Sequence, residues 1–382
     1  MCIFLVSTAH PDYPLILLSN RDEFLHRPTL RAAFWDPPHE NLFSGRDLAR
    51  PEKGTWLGVS KEGRLAILTN YREASSALAI GEKSRGAMIT SFLASPDPVD
   101  TPTSVWLRKV LDTGEMKGVG GFSMMCGLLR PKGENLEGLA IISNRTPYRD
   151  DGVESTAHWI GEKKGETRGL SNSLFDSPWQ KVKLGEQLLE ETIQVSVEEE
   201  GGVSEDEFLK RCFAVLSHNT LPLISNDDTY EIEMNALELS IFIPPFDAAA
   251  EHATTPHGHR AQTPDIPEEQ LPPHPEDIAS GRPENLRSTV VDTGAGSTRL
   301  DHLCCESPVT PLVPSMSEED LTKWRKSPRL YGTAQQTVIL VDNSGRLKYV
   351  ERTLYNREAR PLDAKDQDIV VEFQIEGWPT AA

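Results

Sequence analysis

Two short apolar runs open the chain. Ile3 to Ser7 and Tyr13 to Ser19 are strand-type segments, and His10, Pro11 and Asp12 between them supply a turn. Together they predict an antiparallel hairpin. The second run ends in a polar cluster, Asn20, Arg21, Asp22 and Glu23, which the hairpin returns to the start of the first strand, beside Cys2. Phe24 to Pro38 reads as irregular. Gly54 to Val59 enters a third strand, Glu62 and Gly63 turn it, and Arg64 to Asn70 is its partner. Four strands within 71 residues, joined by hairpins rather than crossover helices, argue for antiparallel sheet.

The period then changes. Ser84 to Ala94 and Ser104 to Leu111 carry apolar residues at helical spacing, and Phe122 to Leu129 and Leu139 to Ser143 read as another strand pair. A long helix is predicted from Pro178 to about Glu191. A second starts at Ser204, an N-cap with acidic Glu205 to Glu207 behind it. Its stripe of Phe208, Leu209, Cys212, Phe213 and Leu216 reads as core. Gln336 to Asp342 and Arg346 to Arg352 form a hairpin, and Ile369 to Ile375 is a last strand.

Composition divides the chain. Residues 246–328 hold 11 of the 28 prolines and five of the ten histidines, with few aromatic residues. Segment 246–327 is therefore expected to be a disordered insertion, and 1–245 with 328–382 a single domain. His252, His257, His259 and His274, or Cys304 and Cys305 with His302, match no standard ligand set, so no metal site is expected.

A net charge of −19 argues against nucleic acid and against docking on anionic membranes. No run approaches the ~18 apolar residues of a membrane span. The N-terminus lacks a basic leader, and five cysteines form no framework. The expectation is a soluble, cytoplasmic protein.

The candidate chemistry sits at Cys2. Removal of Met1 would leave a thiol and a free α-amine on one residue, a nucleophile and a base together. As a strand opener, Cys2 is equally a small buried apolar residue, and the polar cluster a solvated strand end.

The N-R-D-E run at 20–23, opened by Met1 and Cys2, resembles the NRDE family, also called the transport and Golgi organisation 2 family. Further matching stretches are GTWLGVS at 54–60, ILTNYRE at 67–73, KSRG at 83–86, IISNRTP at 141–147, GLSNSLFDSPWQKV at 169–182 and YGTAQQTVILVD at 331–342. That family resembles the N-terminal nucleophile hydrolases, which implies an α+β, four-layer αββα sandwich of antiparallel sheets. There the nucleophile opens the first strand at the mouth between the sheets.

By that resemblance Cys2 is the nucleophile, Asp22 the carboxylate that orients the amine, and Asn70 and Asn172 the oxyanion donors. Asn20, Arg21 and Arg72 are the ligand-binding candidates, and Arg21 and Arg72 are expected to lower the Cys2 pKa. Two departures stand out. The acylases of that superfamily carry an Arg three residues before the Asp, where this chain has Ser19. Arg21 adjoins Asp22 instead, and adjacent strand residues face opposite ways. The YGT block, which usually continues with Arg, has Ala334.

The resemblance implies a trafficking or carrier protein, with roles in Golgi organisation, protein secretion and intracellular haem handling. No cofactor is required. The ligand is a small molecule or haem as cargo, and peripheral association with Golgi or mitochondria is implied. The alternative is an N-terminal Cys amidohydrolase or acyltransferase acting on a small amide or acyl thioester.

Overall fold

The computed structural model describes residues 1–73, 79, 81–133, 135–146, 157–199, 202–221, 235–248 and 330–379. Sixteen strands are numbered in chain order. One sheet contains β1 (Ile3–Ser7), β2 (Leu15–Phe24), β12 (Thr167–Leu170), β13 (Phe246–Asp247), β14 (Leu330–Val341), β15 (Arg346–Thr353) and β16 (Asp368–Gln374). Its order is β12-β1-β2-β14-β15-β16, with β13 beside β14. The second holds β3 (Thr29–Phe34), β4 (Leu42–Asp47), β5 (Leu57–Ser60), β6 (Arg64–Asn70), β7 (Phe122–Leu128), β10 (Leu139–Ser143) and β11 (His158–Ile160), in the order β11-β10-β7-β6-β5-β4-β3. Residues Pro131–Lys132 (β8) and Asn135–Leu136 (β9) make a small ribbon. Every pairing within the two sheets is antiparallel.

Alternation along the strands builds the layers. Phe4, Val6, Leu15, Leu17, Ile339 and Tyr349 of the first sheet meet Phe43, Val59, Ile67 and Met125 of the second in a shared core. The opposite face of the first sheet, with Ile3, Leu5, Ile16 and Leu18, packs on α3 (Gln180–Glu198) and α4 (Glu205–Leu216). The outer face of the second, with Ala66, Leu68, Met124 and Cys126, packs on α1 (Gly86–Leu93) and α2 (Thr103–Thr113). The result is helix, sheet, sheet, helix. A short α5 (Ala364–Gln367) precedes β16. Among the described residues no helix is long and apolar enough to cross a membrane.

Local chemistry accounts for several boundaries. Ser204 caps α4 by accepting from the Glu207 amide at 3.3 Å, above a first turn of Glu205, Asp206 and Glu207. Gly114 ends α2 in the left-handed conformation, φ 66°.

Three expectations are corrected. Phe24–Pro38 is not irregular: it contains β3, an edge strand whose Arg31 donates to backbone carbonyls of Asp366 and Gln367. Six strands, not four, lie in the first 71 residues. The second strand does not stop at Ser19 but runs through the polar cluster to Phe24, because β14 supplies its hydrogen bonds. Phe246 and Asp247, at the start of the expected insertion, pair with Tyr331 and Leu330. Most of the expected insertion, with its histidines, Cys304 and Cys305, lies outside the described residues.

Candidate functional site

The end of β2 alternates across the sheet, and each residue of the polar cluster goes where its face sends it. The Asn20 amide points to the helix layer, fully buried, and donates to the Leu216 and Ile241 carbonyls at 2.7 and 2.9 Å. Arg21 points between the sheets, with its guanidinium 4.3 Å over the Trp56 ring. Asp22 points back to the helix layer. Opposite it, β14 has a bulge: Asp22 pairs with Thr333 and Arg21 with Gln335, leaving Ala334 as the extra residue.

Asp22 is the hub of a buried ionic cluster. One carboxylate oxygen is 2.7 Å from the Met1 α-amine and 4.0 Å from Lys181 Nζ, and the other accepts from the Thr333 hydroxyl at 2.7 Å. Lys181 is fully buried and also donates to the Met1 carbonyl. Burial pushes the pKa values of both Lys181 and the Met1 amine down, and the Asp22 carboxylate opposes the fall. The Met1 side chain packs with Leu237 and Ile243. The amine held by Asp22 therefore belongs to Met1 while that residue is present, and the Cys2 nitrogen is an amide without basicity.

Cys2 is half-buried, and its sulfur lies 3.4 Å from both the Asp22 amide and the Asp22 carbonyl. The Cys2 carbonyl accepts from Ser171 Oγ at 2.7 Å. The expected depression of the thiol pKa is reversed. Desolvation pushes it up and the Asp22 carboxylate pushes it further, while the Met1 amine, the Asp22 backbone amide and, least, Arg21 act the other way. The balance favours the neutral thiol.

The sulfur opens on a cavity of about 490 Å³ at the mouth between the sheets, whose wall includes Arg21, Asp22, Trp56, Leu68, Asn70 and Arg85. Arg21 and Asp22 leave the strand on opposite faces, yet both reach this wall because the cavity caps the strand end.

The other candidates divide. Asn70 ends β6 exposed and lines the cavity. Asn172 is close by: its amide donates to the Asn70 carbonyl, and its own Oδ1 is buried without a partner. Two ligand-binding candidates, Asn20 and Arg72, are not on the cavity wall. Asn20 is consumed in the helix layer, as above. The Arg72 guanidinium is bound to Glu238 and, at 2.8 Å, to Asn235.

Sequence reasoning passed over Trp56, Arg85, Ser171, Lys181 and Thr333. Each lies in one of the matching blocks named above, so convergence of those blocks on one place was the available signal. Among the described residues no group of three or more His, Cys, Asp and Glu could hold a metal ion.

The profile of the family described as Transport and Golgi organisation 2 matches residues 1–356. A Bos taurus protein, Transport and Golgi organization protein 2 homolog, is 34% identical over 212 residues, 55% of this chain and 68% of that protein. An uncharacterized Saccharomyces cerevisiae protein is 31% identical over 260 residues, 64% of this chain and 78% of that one. Among solved structures, a Caenorhabditis elegans N-acylethanolamine-hydrolyzing acid amidase ortholog aligns at 15% identity and a TM-score of 0.33, covering 63% of this chain and 90% of that one.

Proposed function

The chain belongs to the Transport and Golgi organisation 2 family, and on that premise we propose that it carries a small ligand in the Cys2 cavity, with haem as the cargo. The observation that carries this reading is a half-buried free thiol opening on a cavity of about 490 Å³ with arginines on its wall. A flat macrocycle has Trp56 to lie against, its propionates have guanidinium partners, and its iron has a sulfur ligand. Roles in Golgi organisation and secretion, and a cytoplasmic location with peripheral attachment to Golgi or mitochondria, are parts of the same proposal.

The thiol is neutral at rest, so ligation of iron through sulfur releases a proton. Haem affinity should then rise as pH rises, by as much as about tenfold per unit while the thiol is still protonated. The test is a haemin titration followed by the Soret shift. Wild type should bind, Cys2→Ala should bind at least about tenfold more weakly, and only wild type should show the pH slope. Equal affinity and equal slope in the two proteins would place the ligand elsewhere.

A second reading has one observation in its favour. Asp22 holds an N-terminal amine at 2.7 Å beside the Cys2 sulfur, as an N-terminal Cys amidohydrolase would need once Met1 is removed. Its test is a mass search for an acyl adduct on Cys2 after exposure to panels of amides and acyl thioesters. The carrier reading expects no adduct. An adduct with turnover would replace it by the hydrolase.

A further inference from the structure

The charges of the cavity wall are unevenly paired. Five cationic side chains line it, Arg21, Arg27, Arg50, Lys83 and Arg85, against Asp22, Glu23 and Asp47. The three carboxylates are engaged: Asp22 with the Met1 amine at 2.7 Å, and Asp47 and Glu23 with Arg27 at 2.7 and 3.7 Å. Of the other cations, Arg50 reaches Glu52 at 3.9 Å, while Arg21, Lys83 and Arg85 have no ion pair among the described residues.

Arg21 is the sharper case. It is 8% exposed, and its guanidinium contacts the Trp56 ring but makes no hydrogen bond or ion pair with any described residue. Glu351 lies near enough to feel its charge, but burial drives that carboxyl toward its neutral form. A desolvated guanidinium whose neighbouring carboxylates are all engaged elsewhere is costly unless a ligand supplies the anion.

Arg85 repeats the pattern at the entrance. Its guanidinium is fixed by carbonyls, Gly121 at 2.8 Å and Ala79, with no carboxylate within 4 Å among the described residues. Gly120 makes room for it, since a Cβ there would lie 2.6 Å from Arg85 Nη2. Lys83, exposed, and Arg50 line the same cavity.

Resting on the ligand-cavity reading, we propose that the ligand carries two separated anionic groups. One is taken by Arg21 beside Cys2 and the other by Arg85 with Lys83, with the uncharged middle of the ligand along Trp56 and Leu68. The spacing of two fixed cations, rather than the total charge of a protein at −19, then selects what enters.

The experiment uses the full chain and follows alkylation of Cys2 by the mass of its peptide, so the other cysteines do not interfere. Protection is measured with α,ω-dicarboxylates from succinate to dodecanedioate and with monocarboxylates of matched length. At one or more lengths the dicarboxylate should protect at about tenfold lower concentration than its monocarboxylate. Arg21→Gln and Arg85→Gln should each reduce the dicarboxylate to the level of the monocarboxylate. Arg85→Lys, which keeps the charge, should retain part of the preference and serves if the Gln variant fails to fold. Equal protection by both classes at every length, or an unchanged preference in Arg85→Gln, overturns the two-anion inference and leaves the cavity reading intact. No protection by either class also overturns the two-anion inference, while the cavity reading stands or falls on the haemin titration.

Discussion

Replacing Asp22 by Asn tests whether the ionic cluster under Cys2 is buried and mutually dependent. The carboxylate side chain has no exposure, and its two cations, the Met1 amine and Lys181, are 6% and 0% exposed. At 2.7 and 4.0 Å the attractions are about 6 and about 4 kcal/mol at an effective dielectric of about 20, most of which offsets desolvation. Asp22→Asn keeps the shape and the Thr333 contact but leaves two cations without their anion. Removing one partner of such a group costs about 3–5 kcal/mol, against a typical total of about 5–15 kcal/mol. With a urea slope of about 3 kcal/mol per molar, the midpoint should fall by about 1–1.7 M, read by tryptophan fluorescence. Adding Lys181→Met should recover part of the loss, because it removes one of the stranded charges. A midpoint within about 0.3 M of wild type, or a double variant worse than the sum of the singles, would refute the reasoning.

Two further outcomes follow from the shifted groups. The Cys2 thiol is pushed up, so its alkylation rate should be slow near neutrality and should still be climbing as pH passes 9, its ordinary value; a plateau near pH 7 would mean a resting thiolate. Burial raises the Glu351 pKa above its ordinary 4.5, and its Oε1 accepts from the Ala32 amide at 3.0 Å. A raised carboxyl stabilises below its unfolded pKa and loses that contribution as pH rises through the folded one. Glu351→Gln should therefore unfold with less dependence on pH above 4.5, and unfolding profiles parallel to wild type would contradict this.

Much of the scaffold was legible because it is local. Ile3–Ser7 and Arg64–Asn70 are apolar runs bounded by turn residues, and the register that sets Ile3 opposite Asn20 brought the polar cluster to Cys2. Thr29–Phe34 was not legible, since its Arg and two Ala residues have no strand period and tertiary contacts hold it at an edge. Thr167–Leu170 is four residues with a glycine, paired to a strand some 160 positions earlier. The path of β2 beyond Ser19 depends on β14, more than 300 residues away in sequence, and so does the bulge at Ala334. The direction of the thiol shift was not legible for the same reason. Two arginines of the matching blocks promised a low pKa, whereas Arg72 is bound to Glu238 and Arg21 lies over Trp56, and the desolvated sulfur sits on the Asp22 backbone, where the Asp22 charge raises its pKa.

The central claim is that the cavity beside Cys2 is where this protein holds its cargo, and a crystal structure with haemin tests it most directly. Haem in the cavity against Trp56, with iron bonded to the Cys2 sulfur and a propionate on Arg21, is the predicted result. Haem bound elsewhere on the chain, with the cavity empty and the thiol unligated, would contradict it.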